Sequence, residues 1–383
     1  MSDAGPRVAW LTNDLPPHSG GIQQFVASLL MRTGDASTLV LGPAAPSGGS
    51  GEAARSDPPG PWRTERAHGR VLPTPSTIRW LVPHLREHRP DVIVVASLWP
   101  LGAVVPALRR RIDAPVLGIT HGAEAGLASS PARGLLRAVA REVDLVTVIS
   151  DHTSAAVSRV LTGSRIERLS PGVDPDRFAR AAHRDVASRL RARWDVPLDA
   201  PVVGCIARLV RRKGQDVLVD VWPELRGRHP DARLVIVGEG PQRRRLERRG
   251  ERVEGVHVVG PVTWDELPAA YAALDVFAMP VRTRLGGLDV EGLGISLLEA
   301  QAAGLPVVAG DSGGAPETVR DVRCGSVVDG RDHAQVLAAV DRWLTGTAAR
   351  AAAATIGPQL ARSWSWDTVA ARFTELVAGL ARR

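Results

Sequence analysis

The chain has 383 residues, 44% hydrophobic and 23% charged, the proportions of a soluble globular protein with two domains of ordinary size. A net charge of +7 and a pI near 10.7 favour an acidic partner, a nucleotide or an anionic membrane; without a basic tail or aromatic platform, nucleic acid is set aside. Two cysteines, Cys205 and Cys324, are too few for a disulfide framework or a metal cluster.

In chain order, MSDAGP passes straight into RVAWLTN without the pattern of an export signal, so none is expected. RVAWLTN, STLVLG, DVIVVAS, PVLGIT and DLVTVIS are short apolar runs without polar alternation, which predicts a buried parallel sheet. Helical patterns at Ile22 to Met31 and Pro100 to Arg111 fall between them. The segment PAAPSGGSGEAARSDPPGP, from residue 43, predicts a surface loop. VIVVASLWPLGAVVPAL, residues 92–108, approaches the length of a membrane span, but its two prolines and flanking charges predict a strand, a turn and a helix. In PARGLLRAVAREVD, residues 131–144, Arg133, Arg137 and Arg141 recur at helical spacing; this helix either lies on an anionic surface or covers the sheet. Arginine triplets at 109–111 and 243–245 read as solvated faces.

The alternation then restarts with PVVGCIAR, RLVIVGEG, VHVVG, DVFAMP and PVVAG. Cys205, inside the first of these runs, reads as a small core residue. A stretch rich in Pro, Asp and Arg lies between the two series and predicts a linker, residues 181–195, between domains 1–180 and 196–365. The helical run Trp366 to Leu380, after SWSW, predicts a helix that returns to the first domain, which residues 366–383 thereby join. The expected fold class is α/β: two Rossmann-like, doubly wound domains with ligands at the carboxyl ends of their strands, facing across a cleft.

Four motifs carry chemistry. In TNDLPPHSGGIQQF, Gly20 and Gly21 precede a helix start, where bare backbone and free N–H groups suit an anion; the competing reading is an ordinary turn. In CIARLVRRKGQD, Arg208 closes a strand and Lys213 follows, the sole lysine among 48 basic residues. Two cations one loop apart can bracket a diphosphate; the competing reading is a solvated basic loop, which Arg211 and Arg212 next door also fit, and Arg212→Lys is expected to change little. In EGLGISLLEAQAAGLPVVAG, Glu291 and Glu299 are eight positions apart, and Gly292 and Gly294 lead into a helix near Ile295 whose first turn offers donors to phosphate. In THGAEAG, His121 ends a strand, either pointing at a ligand or satisfied internally.

Together the Glu-x7-Glu pair, the ARLVRRKGQD loop, IVGEGPQ and GGIQ resemble the retaining GT-B glycosyltransferases of family 4 type over nearly the whole chain. TNDLPPHSGGIQ, LPTPSTI, SPGVDPDRF, WSW and the long block from MPVRTRLGGLDVEGLGI are especially similar to the actinobacterial enzymes that add an α-1,6-mannose from GDP-mannose to phosphatidylinositol monomannoside. The resemblance implies that Arg208 and Lys213 hold the diphosphate together with Gly20, Gly21, Gly294 and the N–H groups of Ile295 and Ser296. Glu299 would then bind the ribose, Glu291 the sugar hydroxyls near C3, and His121 the sugar near its 6-hydroxyl; Asn13 and Asp14 would face the acceptor. Ala123 and Leu127 depart from the family pattern, which has a second histidine and a tryptophan there. The resemblance also implies no metal or other cofactor, GDP-mannose and a glycosylated phosphatidylinositol as substrates, and a peripheral place on the anionic cytoplasmic leaflet. Three other readings stay open: the same chemistry on another acceptor, a pyridoxal-phosphate phosphorylase using Lys213, and a non-catalytic nucleotide-sugar sensor.

Overall fold

A computed structural model describes residues 5–15, 21–44 and 60–382. Gly20 and most of the segment after residue 43 lie outside them. By contacts the chain divides into two units, residues 1–172 with 366–383, and residues 173–365.

Among the described residues the first unit holds seven strands: β1 (Val8–Leu11), β2 (Thr38–Gly42), β3 (Arg63–Arg66), β4 (Val92–Val95), β5 (Val116–Ile119), β6 (Leu145–Val148) and β7 (Arg165–Arg168). All pair in parallel, in the order β3-β2-β1-β4-β5-β6-β7. Strand side chains alternate between faces, and both faces are dry. Ala9, Leu11, Leu39, Leu41, Ile93 and Val95 meet Leu81 and Leu85 of the helix Pro75–His88 on one side. Val8, Trp10, Val40, Val92 and Val94 meet Phe25 and Leu29 of the helix Gly21–Thr33 on the other. The helix Trp366–Ala381 returns to this second face, inserting Trp366, Phe373, Leu376 and Leu380 beside Trp10 and Phe25. Arg372 clamps it to Glu167 at 2.7 Å.

The second unit holds β8 (Val202–Ile206), β9 (Arg233–Val237), β10 (Val256–Gly260), β11 (Val276–Met279), β12 (Val307–Gly310) and β13 (Gly325–Val328), in the order β10-β9-β8-β11-β12-β13 and again all parallel. Each sheet reverses its winding once, between β1 and β4 in the first unit and between β8 and β11 in the second. A reversal sends neighbouring connections to opposite faces and leaves a crevice at the strand carboxyl ends, where ligands of doubly wound sheets bind.

Residues 181–195, expected as a linker, are part of the second unit: they include the helix Arg184–Arg193, which packs on the helix Leu267–Ala272. Their charge masks a one-sided apolar stripe, Ala187, Leu190 and Trp194, all buried. Arg191 anchors the stripe through Ala273 O, Leu198 O, Ala200 O and the Asp275 carboxylate at 2.8–3.0 Å. Arg109, expected on a solvated face, instead ties Glu142 O and Ala114 O to the Asp144 carboxylate. Cys205 is fully buried, and burial pushes its thiol up to about 12, as suits an inert core residue. In the helix Arg133–Ala140, Leu136, Val139 and Ala140 face the core while Arg133, Arg137 and Arg141 are exposed. Its apolar stripe therefore covers the sheet.

Candidate active site

In the second unit the reversal point is built from the sequence upward. Just past β8 comes an exposed Arg208, whose carbonyl accepts from the buried Gln215 amide at 3.2 Å. A 3-10 turn, Arg211–Lys213, follows, and Gly214 reverses the chain at φ +76°. Only glycine fits there, because a Cβ would run into the Pro280 carbonyl at the end of β11. That close approach carries Lys213 inward to 8% exposure, with Nζ 2.8 Å from Glu291 Oε2 and 3.6 Å from Met279 Sδ. Arg282 bolts the turn down: it bonds Asp216 at 2.7 and 2.9 Å, and its N–H donates to Arg212 O at 2.8 Å.

Glu291 is 6% exposed. The loop after β12 seats its backbone: Gly314 N–H donates to Glu291 O at 3.0 Å, and a Cβ on Gly313 would strike that same carbonyl. Burial pushes the Glu291 carboxyl upward, but Lys213 and Arg212 outweigh burial and hold it below its ordinary value, so it stays ionised at neutral pH. Sequence alone ranks Arg212 as an exchangeable neighbour. The structure places its Nε 3.3 Å from Glu291 and its Nη1 3.5 Å from Asp289, so it bridges two carboxylates.

The helix Ile295–Ala302 starts at Gly294, φ +90°, with no side chain capping its first turn. Its leading N–H groups, those of Ile295 and Ser296, are therefore offered outward. Glu299, one turn in and 6% exposed, accepts from Tyr271 OH at 2.7 Å and feels the Lys213 charge. The structure thus brings Lys213, Glu291, Ser296 and Glu299 together at one sheet end and sets Arg208 in the loop before the turn that carries Lys213.

In the first unit the corresponding strand ends carry Asn13, Asp14 and His121. Both polar atoms of the Asn13 side chain are engaged with Val71, through Nδ2 to O at 2.9 Å and N–H to Oδ1 at 2.8 Å. Asn13 therefore pins the segment after β3 to the end of β1 instead of holding its amide out to a ligand. Asp14 accepts from Gln23, on the helix that begins at Gly21, at 2.6 Å. Apart from its chain neighbours and its own helix backbone, no described atom lies within 4 Å of where a Cβ on Gly21 would sit.

His121 Nε2 is 2.5 Å from Ala96 O. A carbonyl only accepts, so the ring donates through Nε2 and keeps Nδ1 as an acceptor. Burial lowers its pKa to about 4, and the ring is neutral at pH 7. Such a histidine accepts a hydroxyl hydrogen bond and does not serve as an acid. The sequence reading passes over Glu124, which is 2% exposed and receives the His121 N–H at 3.0 Å and the Trp99 N–H at 3.4 Å. It ties the loops after β4 and β5 together and fixes the backbone from which His121 projects. The signal was present three residues after the histidine, as an acid inside an otherwise apolar helix start.

Two doubly wound parallel sheets, one ending in paired cations, glutamates and an open helix amino terminus, define an α/β protein of the two-sheet class. A glycosyl transferases group 1 family model matches residues 200–346, and a glycosyltransferase family 4 model matches residues 19–177. The chain is 40% identical over 379 residues to the GDP-mannose-dependent alpha-(1-6)-phosphatidylinositol monomannoside mannosyltransferase of Mycolicibacterium smegmatis, covering 96% of this chain and 97% of that one. It is 36% identical over 373 residues, 96% of either chain, to a Corynebacterium glutamicum protein named as the GDP-mannose-dependent monoacylated alpha-(1-6)-phosphatidylinositol monomannoside mannosyltransferase. Among solved structures, sucrose-phosphate synthase from Thermosynechococcus elongatus superposes with a TM-score of 0.76 at 21% identity, over 97% of this chain and 98% of that one. Anabaena HepE in complex with UDP and glucose gives 0.76 at 19%, over 98% and 100%. The chain belongs to the GT-B glycosyltransferases of the group 1 and family 4 type.

Proposed function

We propose that the protein transfers mannose from GDP-mannose to phosphatidylinositol monomannoside, forming an α-1,6 linkage with retention. The observation that carries this reading is the enclosed Lys213–Glu291 pair at the β8/β11 reversal, beside an uncapped helix start and a second buried glutamate. Near full-length identity of 36–40% to relatives named for this reaction supports the choice of donor and acceptor.

Each group then has a task. Arg208 and Lys213 take the diphosphate, with the N–H groups of Ile295 and Ser296 adding donors that need no reorganisation as charge develops on the leaving oxygen. Glu299 accepts from the ribose hydroxyls, and Glu291, ionised, accepts from the sugar hydroxyls near C3. His121 accepts from the 6-hydroxyl through Nδ1, Gly21 lets backbone approach phosphate, and Asn13 and Asp14 shape the acceptor side. The bond from C1 to the β-phosphate oxygen breaks while the acceptor oxygen bonds to C1 on the same face. The acceptor proton passes to the departing phosphate, so no protein nucleophile is required. Two cations and a helix terminus balance the diphosphate, which makes the reaction metal-independent. No described helix is long and apolar enough to cross a membrane, and the exposed arginines of the first unit favour peripheral binding to an anionic cytoplasmic leaflet.

Radiolabelled GDP-mannose with vesicles containing phosphatidylinositol monomannoside tests the reading. Label should enter a dimannosylated inositol lipid at a rate unaffected by EDTA, and GDP should raise Tm more than UDP or ADP. Label only in a non-inositol product would move the acceptor elsewhere, and loss of activity in EDTA would overturn metal independence.

A further inference from the structure

Tyr271 is the only tyrosine in the chain, and it is fully buried. The helix Leu267–Ala272 carries it, and its ring packs edge-on against Phe178 and tilted against Phe277, with centroids 5.5 and 5.6 Å away. An apolar slot of this kind would suit phenylalanine. The hydroxyl instead reaches Glu299 Oε2 at 2.7 Å, beside the Ser296 side chain. Burial, with the nearby Glu299 charge, raises the Tyr271 pKa well above its ordinary value, so the group stays protonated and is an obligate donor to the carboxylate. No other described residue donates a hydrogen bond to Glu299; Arg177 and Lys213 act on it only through their charge.

We infer that Tyr271 is a positioning residue of the nucleotide site: by occupying Oε2 it fixes the Glu299 rotamer and presents Oε1 to the vicinal diol of a ribose. The inference rests on the assignment of Glu299 to ribose made above. Without the hydroxyl, a buried carboxylate loses its one donor, is free to rotate, and takes up a proton more readily. A hydrogen bond to a charged group is worth about 10- to 100-fold in an equilibrium constant, and a bond acting through Glu299 passes on part of that.

The test compares GDP with 2′,3′-dideoxy-GDP by calorimetry on the wild type, Tyr271→Phe and Glu299→Gln. Tyr271→Phe keeps the ring packing, so it should weaken GDP binding about tenfold and leave the dideoxy analogue within about twofold, collapsing the preference for the diol. Equal weakening of both ligands, or no change in either, would reduce Tyr271 to a packing residue and overturn the inference. If Glu299→Gln keeps the wild-type preference, the ribose assignment itself is wrong, a failure visible separately from that of Tyr271. A single tyrosine also permits global replacement by 3-fluorotyrosine, which places one 19F label in the molecule without a mutation. Its resonance should move on adding GDP and stay nearly still with the dideoxy compound; identical shifts for the two nucleotides would count against the coupling.

Discussion

At Lys213 an ammonium is selected by space as well as charge. Its Nζ fits between Glu291 Oε2 and Met279 Sδ at 8% exposure, and a planar guanidinium forced into that gap overpacks it. Lys213→Arg should therefore keep the fold, with Tm lowered by a few degrees, and cut kcat by about 100-fold, the scale of losing one group that stabilises developing charge. Near-normal turnover would return the residue to the status of a spare cation. The structure also changes the expectation for its neighbour. Arg212 spans Glu291 and Asp289, a bridge one ammonium does not reproduce, so Arg212→Lys should raise KM for the donor several-fold while sparing kcat more than Lys213→Arg does. Lys213, Glu291 and Glu299 were legible in the sequence because their chemistry is conspicuous there: a unique lysine, and acids among apolar neighbours. The contacts that Arg212, Tyr271 and Asn13 make were not. Their roles are made by partners 79, 28 and 58 positions away, a separation that no local pattern encodes.

Ten of the thirteen strands among the described residues are apolar runs in the sequence. The other three, β3, β7 and β13, are edge strands. β3 and β7 read RTER and RIER, with charged side chains at the solvated border. Charge at an edge works against unwanted pairing with another chain, and the same charge removes the apolar run by which the other strands are legible. The helix Trp366–Ala381 was legible as an element, since Trp366, Val369, Phe373, Leu376, Val377 and Leu380 recur on one face. Those residues are 1–7% exposed, part of the core rather than an appendage. Phe373→Ala should cost about 3–5 kcal/mol, the usual range for a buried aromatic. Denaturant unfolding would show it as a lower midpoint at unchanged slope. A cost below about 1 kcal/mol would mean the helix adds little to the first unit.

Over the whole molecule, the net charge of +7 has few places to act except the surface. Arg79, Arg110, Arg111, Arg133 and Arg141 of the first unit are all exposed. Near an anionic leaflet each such residue contributes about 1 kcal/mol, and screening removes most of it at about 1 M salt. The protein should co-sediment with phosphatidylglycerol vesicles at low salt, release at high salt, and ignore phosphatidylcholine vesicles. Retention at high salt would point to apolar insertion instead of electrostatic attachment.

The return of residues 366–383 to a unit begun at the amino terminus has a consequence for synthesis. The face of the first sheet that carries Trp10, and against which Phe25 packs, is covered by a helix translated about 190 residues after that unit is otherwise complete. At roughly 5–20 residues per second the ribosome leaves that face open for about 10–40 s, while the intervening unit emerges and has all of its own residues in hand. The nascent chain therefore completes its domains in reverse order, the second before the first. For those seconds it exposes the kind of apolar surface that chaperones hold.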